Sequence, residues 1–150
     1  MFGVEIKRLK VIPDERGRLM EILRRDDAIF CGFGQVYLTT AWPGVVKAWH
    51  RHQHQTDHFC VVRGMIKLVL YDGRPASPTF EHFEEHYIGD HQPALIQIPA
   101  GVYHGFKNVS DVEALVINCV TEPYDAQNPD EERLPAHDGP IPYDWTRRDR

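Results

Sequence analysis

A chain of 150 residues, 42% of them hydrophobic and 26% charged, is long enough to bury one ordinary core. Its formal net charge of −5 excludes the broad basic face of a general nucleic-acid binder, although a local basic pocket for a phosphate remains open. No run approaches the roughly 18 apolar residues of a membrane helix, and Met1 to Glu5 offers no apolar leader.

Short runs of strand-forming residues recur between turn signals. Strands are expected over residues 4–9, 18–23, 34–40, 45–51, 58–62, 65–71, 84–88, 94–98, 105–108 and 114–121. The breaks between them include Pro13-Asp14-Glu15-Arg16-Gly17, Trp42-Pro43-Gly44, Arg63-Gly64, Asp72-Gly73-Arg74-Pro75 and Pro99-Ala100-Gly101. Many short strands at this spacing imply an all-β sandwich or barrel. Residues 112–119 are long enough for a helix, but Val112, Val116 and Ile117 favour a strand. The stretch 122–150, rich in Pro, Asp, Glu and Arg, is expected to wrap the barrel as an extended segment pinned by Tyr143 and Trp145. The whole then reads as one domain over residues 1–150, with the barrel spanning 4–121. Cys31, Cys60 and Cys119 have no close pair and no metal-type spacing, so reduced, mostly buried thiols of a cytoplasmic protein are expected.

Nine histidines are many for this length, and four of them fall between residues 50 and 58. On a strand His50 and His52 project to one face, which must then meet solvent or a polar cavity. His54 is expected in an exposed loop, His58 beside Cys60 on the barrel lining, and His82, His86, His91 and His137 at the surface. The run Asp130-Glu131-Glu132 reads as a solvated acidic face.

Gly44, His50, His52, Asp57 and Gly64 fall in a register that resembles the first cupin motif, with Asp57 where metal-binding cupins carry glutamate. Pro99, Gly101, His104 and Asn108 resemble the second motif. The resemblance implies a double-stranded β-helix, or jelly-roll, barrel that gathers His50, His52 and His104 at one mouth. It also implies a homodimer, as is frequent among cupins.

Further matches narrow the resemblance. Asp14-Glu15-Arg16-Gly17 with Glu21, Phe33-Gly34-Gln35, Gly44-Val45-Val46-Lys47 with His50, Asp72-Gly73-Arg74 with Ser77 to Phe80, Ile98 to Phe106, and Trp145 resemble the dTDP-4-dehydrorhamnose 3,5-epimerase family over roughly residues 11–145. Membership implies a cytoplasmic isomerase of polysaccharide biosynthesis that binds a 4-keto-6-deoxyhexose nucleotide and needs no cofactor. It puts the base on His50, stabilisation of the oxyanion on Lys47 and His104, and substrate contacts on Arg16, Glu21, Gln35 and His52. An imidazole of ordinary pKa near ~6.5 suits proton abstraction beside a ketone at neutral pH.

The chain departs from the family pattern at three places. The family's lysine falls near Asp57, and its acid tyrosine falls near Ile117 or Asn118. The aspartate that orients the base lies beyond the tryptophan in longer members, whereas five residues follow Trp145 here. Tyr124 is the first candidate for the acid, with Tyr103 and Tyr37 behind it; Asp57 or Asp144 is expected to orient His50. Two alternatives stand beside the isomerase. One is a metal-dependent cupin enzyme holding a divalent transition ion on His50, His52, Asp57 and His104, and the other is a sugar-nucleotide-binding cupin without turnover.

Overall fold

The structure is a computed structural model that describes residues 1–149. One antiparallel sheet runs in the order β1 (Glu5–Arg8), β9 (Ala94–Ile98), β6 (Asp57–Arg63), β11 (Ala114–Val120) and β4 (Gln35–Ala41). The facing sheet runs β12 (Glu132–Arg133), β5 (Val46–Arg51), β10 (Val102–Asn108), β7 (Met65–Asp72) and β8 (Phe83–Gly89). A separate hairpin, β2 (Val11–Asp14) with β3 (Gly17–Met20), lies outside both sheets. Spatial neighbours distant in sequence, such as β6 beside β11 and β5 beside β10, make this the jelly roll expected of a cupin. All ten expected strands are present, and none of the described residues lies in a helix. The strands β2 and β12 are additions to the sequence reading.

Strand β7 shows how the sequence builds the barrel. Ile66, Leu68 and Leu70 alternate inward to a core with Phe59, Ile96, Phe106 and Val116. Val69 and Tyr71 face outward, against a second cluster built on Trp49, Tyr103, Ile141 and Trp145. Both faces are covered, so the strand reads as an almost continuous apolar run. Each wholly buried leucine stabilises the fold by about 1.5–3 kcal/mol.

The outer cover is the C-terminal segment. Trp145 packs on Trp49 with ring centroids 5.1 Å apart, and Tyr143 packs on Trp145 at 4.8 Å. Tyr143 and Trp145 therefore pin this segment as the sequence implies. Before reaching them the chain pairs with the edge of the sheet, with Glu132 opposite Arg51 and Arg133 opposite His50. Backbone hydrogen bonds between Trp49 and Leu134 in both directions, 2.9 and 3.1 Å, extend that ladder.

An irregularity in the β5–β10 ladder positions the site. His104 pairs with His50 but Phe106 pairs with Lys47, so β5 carries one extra residue opposite Gly105. In a regular strand Lys47 and His50, three apart, would face opposite sides; the bulge brings both to the interior. Gly105 is required at that crossing, because a Cβ there would stand 2.3 Å from the Cβ of Ala48. The thiols depart in part from expectation: Cys60 is buried and Cys119 half-buried, but Cys31 is exposed, and all three are free.

Candidate active site

One half of the barrel interior is the apolar core, and the other half is a cavity of about 730 Å³. That size falls in the ordinary range for small-molecule sites. Its walls are Gln35, Tyr37 and Thr39 from β4, and Lys47 and His50 from β5 with His52 just beyond it. His104 and Phe106 come from β10, and residues 122–134 close one side.

His50 Nδ1 donates to Glu131 Oε1 at 2.6 Å, an interaction between residues 81 positions apart. The His50 and Glu131 side chains are 30% and 20% exposed. Burial holds the His50 imidazole below its ordinary pKa, and Glu131 opposes that shift. For Glu131, burial pushes the carboxyl up, but hydrogen bonds from Arg133 and His50 outweigh it and hold it below the usual range. The neutral ring keeps a lone pair on Nε2, the form a general base needs.

The segment carrying Glu131 is clamped to the turn after β5. The Asp130 carboxylate accepts backbone N–H groups from Gln53, His54 and Gln55 at 2.8–2.9 Å. The Asp130 carbonyl accepts from His52 Nδ1. Glu131, just before β12, and Arg133 on it are two apart and both line the cavity, while Glu132 turns outward to Arg51 and Tyr103.

On the opposite sheet the Tyr37 oxygen accepts a hydrogen bond from Asn118 Nδ2 at 2.9 Å. Asn118 is fully buried, its Oδ1 fixed by the backbone N–H of His58 at 3.0 Å. Tyr37 and Asn118 are direct register partners on β4 and β11. Desolvation pushes the Tyr37 phenol up to about 12, with the Asp57 and Glu131 carboxylates adding to the shift. It stays protonated through neutral pH. Lys47 Nζ donates to Thr39 Oγ1 at 3.0 Å, bridging the two sheets.

Asp57, 1% exposed, sits deeper. Its Oδ2 lies 3.0 Å from His104 Nε2 and 3.5 Å from His52 Nε2, and its Oδ1 accepts from Gln55 Nε2 at 2.7 Å. Burial raises its pKa, but the contacts with His104, His52 and Gln55 together outweigh that and leave it below the usual range.

Of the residues singled out in the sequence, His50, His52, His104, Lys47, Gln35 and Tyr124 all line the cavity. Tyr124 stands at the rim, 65% exposed, with its backbone N–H on Gln35 Oε1 at 2.7 Å. Arg16 and Glu21 do not line it: exposed Arg16 pairs with Asp14 on the outlying hairpin, and Glu21 pairs with Arg24. Tyr103 faces away and donates to Glu132 at 2.8 Å.

Four expectations need correction. The partner of His50 is Glu131 and not Asp57 or Asp144; Asp144 instead caps Thr146. The acidic run 130–132 is not a solvated face, because each of its carboxylates is engaged with the β5 region. His58 is buried against Cys119 O and Ile29 O and does not line the cavity. Among the described residues the metal-compatible cluster is His52, Asp57 and His104, without His50.

The sequence profile of the family described as dTDP-4-dehydrorhamnose 3,5-epimerase matches residues 1–150. The chain is 44% identical over 144 residues to the probable low-salt glycan biosynthesis epimerase Agl13 of Haloferax volcanii, covering 95% of this chain and 92% of that one. It is 36% identical over 143 residues to the spore coat polysaccharide biosynthesis protein SpsL of Bacillus subtilis, covering 95% of each. The crystal structure of a dTDP sugar isomerase from Desulfovibrio desulfuricans G20 superimposes with a TM-score of 0.90 at 38% identity, covering 96% of this chain and 91% of that one.

Proposed function

Because the chain belongs to the dTDP-4-dehydrorhamnose 3,5-epimerase family, we propose that it isomerises a 4-keto-6-deoxyhexose nucleotide in glycan or polysaccharide biosynthesis. The observation that carries the mechanism is the His50–Glu131 pair on one wall of the cavity, opposite the protonated Tyr37 on the other. His50 Nε2 removes the proton from a carbon next to the ketone, and Glu131 stabilises the imidazolium that forms. Lys47 supplies positive charge for the enolate oxygen. Tyr37 then returns a proton to the opposite face of the same carbon, which inverts it. A base and an acid on facing walls suit inversion better than a pair on one wall would. Tyr124 is the poorer acid, because its ring stands in solvent at the rim.

Only protons move, so this reading calls for no redox cofactor. We take the cytoplasm as the place of work, since nucleotide sugars are made there. A homodimer fits two further observations. Arg16 and Glu21 lie outside their own cavity, and the edge strand β4 exposes Val36 and Leu38. In a pair of chains the β2–β3 hairpin of one copy can supply Arg16 and Glu21 to a nucleotide held by the other, where arginine bonds a diphosphate well. Light scattering on the purified protein tests the pairing.

The function is tested in D2O with a dTDP-4-keto-6-deoxyhexose. Deuterium should enter the carbon beside the ketone with inversion, and His50→Asn should slow this by about 10²–10⁴-fold. Tight binding with no exchange by the unaltered protein would favour the binding module without turnover.

A further inference from the structure

Glu131 owes its place to more than the ladder it adjoins. Pairing between β12 and β5 begins at Glu132, opposite Arg51, so the ladder fixes Glu131 on one side only. On the other side no apolar anchor is near: residues 122–129 are all exposed, and the last buried residue before them is Val120. A stretch without buried apolar contacts opens locally at little cost in free energy. Yet His50 needs its partner at a fixed point, since a misplacement of about 1 Å can cost about 10²-fold in rate.

Asp130 supplies the missing fixing. Its Oδ1 accepts from the Gln53 N–H at 2.8 Å, and its Oδ2 accepts from the His54 and Gln55 N–H groups at 2.9 Å each. Three successive backbone N–H groups make a concave seat for an anion. A side-chain amide in that seat would turn its own NH2 toward at least one of them. The Asp130 carbonyl meanwhile takes His52 Nδ1, so this residue is tied through both its side chain and its main chain. The seat is itself held to the barrel. Gln55 Nε2 donates to the buried Asp57 at 2.7 Å, the His52 carbonyl accepts from the Gly101 N–H at 2.8 Å, and the Thr56 N–H donates to Thr121 Oγ1 at 2.9 Å.

We propose that Asp130 is a positioning residue of the proton transfer: it locks the segment 122–133 onto the turn 53–55 and so sets Glu131 against His50. Its kinetic consequence rests on the isomerase reading, and its structural consequence rests on geometry alone. With Asp130 released, Glu131 leaves His50 Nδ1, and the ring loses both its orientation and the carboxylate that stabilises its charged form. The other charged or titratable groups facing His50 are Arg133 on the same segment and His104 on β10, whose ring centroid lies 6.2 Å away. Neither offers a carboxylate to replace the one lost. The buried bond between Gln55 and Asp57 thereby gains a part in the chemistry, as the footing of this lock.

The test compares Asp130→Ala, Glu131→Ala and the double variant with the unaltered protein, by deuterium uptake from D2O into a dTDP-4-keto-6-deoxyhexose. Asp130→Ala should lower kcat by about 10–100-fold, with Asp130→Asn falling between it and the unaltered protein. In the Glu131→Ala background the same change should cost less than about 2-fold, because its route to the base is already cut. Equal losses in the two backgrounds, or no loss in Asp130→Ala, overturn the proposal. A readout without substrate keeps the two readings apart. The His50 Nδ1–H proton, sheltered in its bond to Glu131, should give an NMR signal in water that is identified by its loss in His50→Asn. That signal should vanish in Asp130→Ala; its survival there, or its absence from the unaltered protein, overturns the lock. No exchange by the unaltered protein refutes the isomerase reading, and the NMR signal then decides the lock by itself. Circular dichroism checks the fold of each variant, and Asp130→Asn carries both readouts if Asp130→Ala does not fold.

Discussion

Changing Glu131 to glutamine probes the base with little disturbance of shape. The amide oxygen can still accept from His50 Nδ1, so the ring keeps its tautomer and orientation and the main loss is the negative charge. At 2.6 Å, with both side chains mostly shielded, the contact is a charge-assisted hydrogen bond. Bonds to charged groups contribute about 1.5–3 kcal/mol. The ring becomes an imidazolium only as it takes the substrate proton, so that energy acts mainly on the transition state and appears in kcat. At ~1.36 kcal/mol per tenfold, kcat should fall by about 10–150-fold with KM little changed.

The pH profile supplies a second readout. Burial already holds His50 below its ordinary pKa, and Glu131 is what pulls it back up. Without that charge the ring is less basic and stays neutral to lower pH. The acid limb of kcat/KM should therefore move to lower pH even as the plateau falls. Initial rates of deuterium uptake, followed by mass spectrometry between about pH 5 and 8 where a histidine titrates, measure both. Arg133 also bonds Glu131, at 2.8 Å, so Arg133→Gln is the control for a merely disturbed strand. An unchanged plateau with an unmoved limb, or a limb shifted upward, would refute the dyad.

Two further outcomes follow from the same geometry. Tyr37→Phe should uncouple exchange from inversion, because His50 can return the proton it took but only to the same face; inversion should drop by about 10²–10⁴-fold while deuterium still enters, and an equal loss of both by NMR would count against Tyr37 as the acid. Asp72 is wholly buried beneath Arg74, Ser77 and Thr79; burial raises its carboxyl, but those hydrogen bonds hold it well below the usual range. Its contribution is therefore present above the unfolded-state pKa and lost as pH falls through that range toward the folded value. Asp72→Asn should cost about 1–3 kcal/mol in urea denaturation at neutral pH, and its deficit should shrink in acid; a constant deficit would refute the ionic account.

The histidines were legible in the sequence because their placement is local: alternation along one strand and a turn three residues before His104 suffice to aim them inward. Lys47 needed the family register, since its odd spacing from His50 predicts the opposite face and only the bulge at Gly105 reverses that. Glu131 could not be read from its surroundings. Three acidic residues in a proline-rich tail look solvated, and their meaning depends on pairing across 81 positions with β5. The available hint was period-two patterning, with Glu131 and Arg133 of opposite sign on one side and Glu132 matching Arg51 on the other. Arg16 and Glu21 show the converse, because motif position names a role but does not say which cavity it serves.

On the proposed mechanism the departures from the family pattern compensate one another. The family's tyrosine falls near Ile117 or Asn118, and Asn118 is the group that holds Tyr37 in place from the adjacent strand. On the proposed mechanism the acid phenol stands one strand across the sheet from there, and the Asn118 amide fixes its oxygen while leaving its hydrogen free to be given away. The carboxylate on the base likewise arrives from the residue just before β12, a two-residue strand placed there because Arg51, His52 and the 53–55 turn each engage the segment 130–132. Asp57, near where the family's lysine falls, then sets a buried carboxylate against His104 and His52. The proposed reaction needs a base, an acid and a cation at fixed points in space, and neighbouring strands are interchangeable sources for each. A register that keeps those points conserves the chemistry even where the aligned residues differ.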